Sequence, residues 1–405
     1  MSPFSTVGPG PAPVNPSTGL PTRRLILRQT VSGMLAWGAG SAAIGRSASG
    51  EAPDAVEPDL IVRNARPLDL ETPVSALDRW LTPNSLFFVR SHFGVPAMSL
   101  APFRLSIGGM VDRPLELTLD DLSGFAQVTV PAVLQCSGNG RAFFRPAVPG
   151  VGWERGAVGH AEWSGVRLAD LLERAGLRTG AAHVHLLGAD GPPSPKTPPF
   201  LRSIPLDRAL SRDTLLATRM NGVPLPLLHG GPVRLVVPTW AGNHWMKWAR
   251  AIAVARDEAA GTYQQTGYRM PKVPAAPGAV LKPADLVPVT TLNVKSLIAW
   301  PSAEGRLAVG RHEVRGVAWT GVGHVVRVEF STDRDPAWRP AALQGPERAG
   351  SWRTWRVAWE AATTGRHVLR VRAADSEGNV QPDATPWNRS GYLWNGIDRV
   401  TCEIG

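Results

Sequence analysis

Cysteine is the scarcest residue in this 405-residue chain, which has two, Cys136 and Cys402. At most one disulfide is therefore available, and no Cys-x-x-Cys-His site for covalent haem attachment can be built from them. Tyrosine is nearly as rare, with three against fifteen tryptophans, a ratio that points to aromatic anchors in a β-rich core. No stretch is apolar and long enough to read as a membrane span. The formal charge is +10, yet lysine-rich runs and nucleic-acid-binding motifs are missing, so small anions suit the surplus better than nucleic acid. Residues 1–50 carry four arginines and no acid, so a chain beginning near residue 51 retains 10 − 4 = +6.

What the sequence does have is punctuation. Glycine (42) and proline (38) favour loops and short strands over long helices. Residues 1–21 are Pro-, Gly- and Ser-rich and read as disordered. Paired arginines in TRRLILRQTVSGMLAWGAGSAAIG then precede a moderately apolar stretch and the small residues of RSASGEA. That order fits an export signal of the twin-arginine type, cleaved between about Ala48 and Ala52. A basic patch ahead of an amphipathic helix is the alternative.

From about residue 60 to 260 short apolar runs alternate with turns. RLADLLERAG (Arg167 to Gly176) has helical spacing and a glycine stop, and VRLVVP (Val233 to Pro238) reads as a buried strand. This half is mixed α+β. MPKVPAAPGAVLKPADLVP (Met270 to Pro288) is a proline-rich linker or strap. Beyond it TLNVKSLIAW, HEVRGVAW, HVVRVEFSTD, TWRVAWEA and GRHVLRVRAAD alternate at period two, the pattern of an immunoglobulin-like β-sandwich. The expected layout is therefore 1–50 leader, 51–270 catalytic domain, 271–289 linker and 290–405 sandwich.

The chemistry gathers around VLQCSGNGRAFF. Cys136 lies on a glycine-punctuated loop with Arg141 five residues on. A nearby cation or a metal favours thiolate, and glycines let backbone approach a bulky ligand. Alone, Cys-x-x-x-x-Arg favours a buried structural thiol, and Cys402 reads as an inert one. The company of Cys136 changes the reading. FFVRSHFGVP, VLQCSGNGR, VGWERGAV, NGVPLPLLHGGPVRLVVP, GNHWMKW and WNRSGYLWNGIDRV follow one another in the order seen in the sulfite oxidase family of molybdenum enzymes. The chain resembles that family from about residue 60 to its end, and within it the exported bacterial sulfite dehydrogenases.

That resemblance implies a molybdopterin-binding domain followed by an immunoglobulin-like dimerisation domain. It makes Cys136 the thiolate ligand of molybdenum, with the other sulfurs coming from molybdopterin; soft thiolate suits such a site. Arg90, Arg141, Trp153 and Tyr268 match the positions lining the family's substrate pocket, and planar guanidinium groups suit the oxygens of sulfite and sulfate. Tyr263 competes with Tyr268 for a place near the metal. Arg389 in WNRSGY stands for a further pocket arginine, offset by one residue because Ser390 precedes the glycine. Some family members have a second arginine where this chain has Gly140, which makes the pocket less positive. His92, Asp190, Ser203, His229, Arg234, His244 and Lys247 match positions that hold the pterin and its phosphate. Singly, His92 or His229 reads as a hydrogen-bonded loop histidine and Lys247 as a snorkelling side chain; their joint order carries the assignment.

The same resemblance implies oxidation of sulfite to sulfate in the periplasm, export of a folded, cofactor-loaded protein, and electron transfer to a separate c-type cytochrome. With no haem segment on this chain, that cytochrome is expected as acceptor or subunit, beside a homodimer or a heterodimer with it. A sulfane dehydrogenase of a sulfur-oxidation complex is the principal alternative. A methionine sulfoxide reductase lacks the second sandwich, and nitrate reductase carries haem and flavin modules and no leader. A non-enzymatic exported binding protein leaves the Cys136 loop unexplained.

Overall fold

The computed structural model describes residues 59–96 and 103–405. The leader, its paired arginines and the cleavage region lie outside these residues.

The first half is built on two five-stranded sheets. In one, Gln127–Gln135 pairs antiparallel with Val158–Arg167, which pairs with Leu215–Met220, flanked in turn by Val223–Pro224 and Arg234–Val236. In the other, Ala249–Ala255 lies parallel to Leu105–Gly109 and antiparallel to His183–Gly188, with Leu115–Leu117 and Leu201–Pro205 at the edges. Helices are short. Leu168–Ala175 buries Leu168, Leu171, Leu172 and Ala175, one apolar stripe at helical spacing. It stops where Gly176 turns to φ 75°, as the glycine in the sequence implied. The expected strand in VRLVVP is Arg234–Val236, buried at every position.

The second half is a sandwich. A four-stranded sheet (Lys295–Trp300, Gly310–Trp319, Arg353–Ala361, Ala342–Gln344) faces a five-stranded one (Arg306–Leu307, Asp398–Ile404, Gly365–Asp375, Val325–Thr332, Arg339–Pro340). Alternation along Arg353–Ala361 and Gly365–Asp375 turns Trp355, Trp359, Leu369, Val371 and Ala373 inward, where they meet Val314, Phe330 and Val400. Cys402 is buried in the same core, and desolvation raises its thiol to about 11, which leaves it inert at neutral pH. Fully burying one such large apolar side chain stabilises by roughly 1.5–3 kcal/mol.

A third cluster joins the halves: Val133, Val158 and Ala241 pack with Leu297, Val317, Trp319, Trp352 and Leu393. Polar bonds run through it. Trp319 donates Nε1–H to Gln135 Oε1 at 2.7 Å, and Val133 N–H reaches Gly350 O at 2.7 Å. The strand that delivers Cys136 is thus fixed from the sandwich side as well as within its own sheet. The proline-rich segment contributes a short ladder between Arg269–Pro271 and Leu286–Pro288, so it behaves as a strap. No helix among the described residues is long and apolar enough to cross a membrane.

Candidate active site

Cys136 is the first residue past the strand Gln127–Gln135, where the chain leaves the ladder and turns. Cys136 N–H donates to Ala157 O, and Cys136 O accepts from Asn139 N–H, both at 2.9 Å. Gly140 then takes φ 88°, and a Cβ there would meet the Trp394 ring at 2.7 Å, so no side chain can stand in that place. The position where some family members have a second arginine is closed by Trp394. Arg141 follows in a cage of glycines: a Cβ at Gly138 would touch its Cζ at 2.6 Å, one at Gly150 its Nη1 at 2.8 Å, and one at Gly391 its Cγ at 2.8 Å. Arg141 donates from Nε to Ser390 O (3.0 Å) and from Nη1 to Val151 O (3.1 Å).

Desolvation raises the Cys136 thiol above its ordinary value, while the Arg141 and Arg90 charges and the Gly138 N–H pull it down. Burial outweighs these cations, so the thiol by itself stays protonated, and a bound metal would favour the thiolate. Arg90 is held by Asp69, with Nη1 to Oδ1 at 3.0 Å. Burial works against the Arg90 charge, but Tyr268, Asp69 and Cys136 outweigh it and the guanidinium stays protonated.

Opposite these groups stands an aromatic wall. Tyr268 adopts φ 53°, a strained left-handed conformation for a non-glycine residue. Its hydroxyl lies 2.5 Å from His92 Nε2, and His92 stacks on Phe200 with ring centroids 4.0 Å apart. Desolvation, then Arg90, Lys247 and Arg202, keep His92 neutral at physiological pH. Tyr263 faces His92 and Phe200 instead, and its carbonyl accepts from Arg202. Of the two tyrosines, Tyr268 lines the cavity with Cys136.

That cavity is lined by Arg90, Cys136, Tyr268, His92, Asp190, His229, Arg234 and Lys247 among others. Three of these are basic side chains, Arg90, Arg234 and Lys247. Arg234 is fully desolvated, gives Nη1–H to His229 O (2.7 Å) and Nη2–H to Trp245 O (3.1 Å), and leaves Nε without a partner. Burial lowers it to about 9. Lys247 donates to Ser91 Oγ (2.9 Å) and Leu228 O (3.1 Å), and burial followed by Arg234 pulls its pKa well below the ordinary lysine value. Asp190 is raised by burial to about 6. Buried cations left short of counter-charge call for an anion, and the Cys136 thiol offers a soft ligand to a metal. No group of three or more His, Cys, Asp or Glu that could hold a metal occurs among the described residues. A pterin dithiolene ending in phosphate fits both demands.

Several residues expected at the site sit elsewhere. Arg389 is exposed, and neither it nor Arg141 lines the cavity; Arg141 acts there through its charge on Cys136, and the carbonyl of Ser390, the neighbour of Arg389, holds it. Ser203 is buried in hydrogen bonds to Ala259 N–H (3.1 Å) and Gln264 Oε1 (3.1 Å), off the cavity wall. His244 packs behind the wall, with Nε2 3.0 Å from Val289 O and 3.3 Å from Arg202 Nη2. Trp153 is fully buried beneath the Cys136 loop, where its carbonyl accepts from Ala142 N–H at 3.0 Å. Sequence reasoning missed Asp69, Phe200, Tyr392 and Arg202. Arg202 is buried with its guanidinium 5.2 Å from the Tyr268 ring centroid, and desolvation lowers it to about 10. It directly precedes Ser203, the residue singled out instead.

Comparison with known proteins agrees with this geometry. Residues 92–263 match the oxidoreductase molybdopterin binding domain, and residues 287–404 match the Mo-co oxidoreductase dimerisation domain. Sulfite oxidase of Gallus gallus is 38% identical over 353 residues, 83% of this chain and 76% of that protein. Mitochondrial sulfite oxidase of Rattus norvegicus is 35% identical over 366 residues, 86% of this chain and 66% of that protein. The crystal structure of the sulfane dehydrogenase SoxCD from Paracoccus pantotrophus superposes with a TM-score of 0.71 at 28% identity, covering 82% of this chain and 84% of that one. A thiol at the head of a cation-lined cavity, two matched domains in order and relatives this similar lead to one conclusion: the chain belongs to the sulfite oxidase family of molybdopterin oxidoreductases.

Proposed function

We propose that this chain oxidises sulfite to sulfate and hands the electrons singly to a separate c-type cytochrome. The balance is one sulfite and one water giving sulfate, two protons and two electrons. Molybdopterin-held molybdenum, bound through Cys136, supplies the two-electron exchange and the oxygen delivered to sulfur. The chain's own residues do the rest. Arg90, set by Asp69, and Arg141, set by two carbonyls, present fixed positive charge to the oxyanion. Tyr268 offers a hydroxyl that Arg90 faces and His92 shares. Arg234 and Lys247 bind the phosphate end of the cofactor, and Asp190 the pterin edge. The carrying observation is that Cys136, Arg90 and Tyr268 line one cavity together with Arg234 and Lys247. The leader supports export by the twin-arginine route to the periplasm, where such a cytochrome would meet the enzyme.

A second reading, sulfane oxidation on a carrier, is favoured by Gly140: Trp394 closes the place of a second arginine, which leaves a less cationic pocket. Sulfite-dependent reduction of cytochrome c by the loaded protein separates the two. Turnover of sulfite supports the first reading; turnover of carrier-bound sulfane sulfur alone supports the second.

A further inference from the structure

The loop joining Gly365–Asp375 to Asp398–Ile404 leaves the sandwich and crosses to the Cys136 loop. Leu393 N–H donates to Ser137 O at 2.8 Å, and Leu393 O accepts from Asn293 Nδ2 at 3.0 Å. Between these anchors and the Ser390 carbonyl that holds Arg141 lies Tyr392. Its ring stacks on that of Tyr268, with centroids 5.4 Å apart and planes 15° from parallel, and it lies 5.5 Å from the Arg141 guanidinium.

Tyr268 needs such support. A left-handed φ at a bulky residue is strained and persists only when its surroundings over-determine it. Two of those surroundings are visible: Tyr268 O accepts from Val289 N–H at 2.8 Å, and the Tyr268 ring stacks on that of Tyr392. Burial keeps the Tyr392 phenol protonated, since desolvation raises it and Arg141 only partly offsets that.

We infer that Tyr392 is a positioning residue through which the sandwich domain sets Tyr268 at the active site: its ring backs both Tyr268 and Arg141. The inference rests on the proposed sulfite chemistry for its kinetic consequence, but not for its structural one. Tyr392→Leu removes the ring, so Tyr268 and Arg141 both loosen. Tyr392→Phe keeps the ring, so both stay backed.

Three tyrosines make the test direct, because 3-fluorotyrosine labelling of the loaded protein yields one fluorine signal each for Tyr263, Tyr268 and Tyr392. Single Tyr→Phe variants assign them. In Tyr392→Leu the Tyr268 signal should broaden while that of Tyr263 stays put, and in Tyr392→Phe it should keep its wild-type width. The kcat for sulfite should fall about tenfold in Tyr392→Leu, in keeping with the loss of one aromatic pair, with KM raised as Arg141 loses its backing, and Tyr392→Phe should restore both. A Tyr268 signal as sharp in Tyr392→Leu as in wild type overturns the inference whether or not sulfite is the substrate. A broadened signal with kcat unchanged overturns its functional part. If the wild-type protein ignores sulfite, that reading fails by itself and the fluorine spectrum still decides the positioning role.

Discussion

Replacing Arg141 by Gln isolates the charge that the glycine cage was built to hold. The amide keeps much of the side-chain volume but loses the positive charge and the fork that binds Ser390 O and Val151 O. A charge-assisted hydrogen bond to an oxyanion contributes about 1.5–3 kcal/mol. At roughly 1.4 kcal/mol per factor of ten, kcat/KM for sulfite should fall roughly 10- to 100-fold. Both guanidinium contacts that fix Arg141 go to the protein, so the lost interaction is charge toward substrate already present in the ground state, and KM should carry most of the effect. The assay is sulfite-dependent cytochrome c reduction over a range of sulfite concentrations, with thermal unfolding beside it to show that the fold survives. Added salt should weaken wild-type sulfite binding more than that of Arg141→Gln. An unchanged sulfite dependence in the variant would refute the assignment.

Other outcomes follow from the same contacts. Gly140→Ala places a Cβ at φ 88° against Trp394, costing about 1–2 kcal/mol in backbone strain alone; it should lower the Tm and cofactor retention, and an unaltered Tm would show that the loop yields. Thiol counting on native protein should find Cys136 protected by the cofactor, exposed after its removal, and Cys402 silent in both states because it is buried in the sandwich core; a reactive Cys402 contradicts the core. His160, at the seam between the halves, is lowered by burial from 6.5 to about 4. Its unfolded form binds a proton over that range and its folded form does not, so it contributes stability above pH 6.5 that is lost as pH falls toward 4. In His160→Gln the loss of stability between pH 6.5 and 4 should be shallower than in wild type.

How much of this was legible in the sequence depended on range. The period-two alternation of TWRVAWEA and GRHVLRVRAAD gave the sandwich because burial in a sheet is set by neighbours two residues apart. DRVTCEI alternates just as cleanly as Asp398–Ile404, yet it sits behind a long loop and was not singled out. The glycines around Cys136 announced a close approach, but not that Arg141 is what approaches; Gly150 and Gly391 join that cage from distant parts of the chain. Ser203 was singled out, yet it is Arg202, one position earlier, that reaches the Tyr268 ring, since adjacent strand residues point to opposite faces and a step of one position exchanges them. Asp69 and Tyr392 had no local signal at all. Each matters through one partner, Arg90 or Tyr268, brought near only by the fold.

The central claim is that Cys136 anchors the redox centre of a sulfite-oxidising enzyme. It is tested most directly by measuring sulfite-dependent cytochrome c reduction and molybdenum content in the purified, molybdenum-loaded protein and in Cys136→Ser. The account predicts turnover in the first and none in the second, with Arg234 and Lys247 still retaining the pterin. Sulfite turnover that survives Cys136→Ser would contradict it, as would loaded wild-type protein that leaves sulfite untouched.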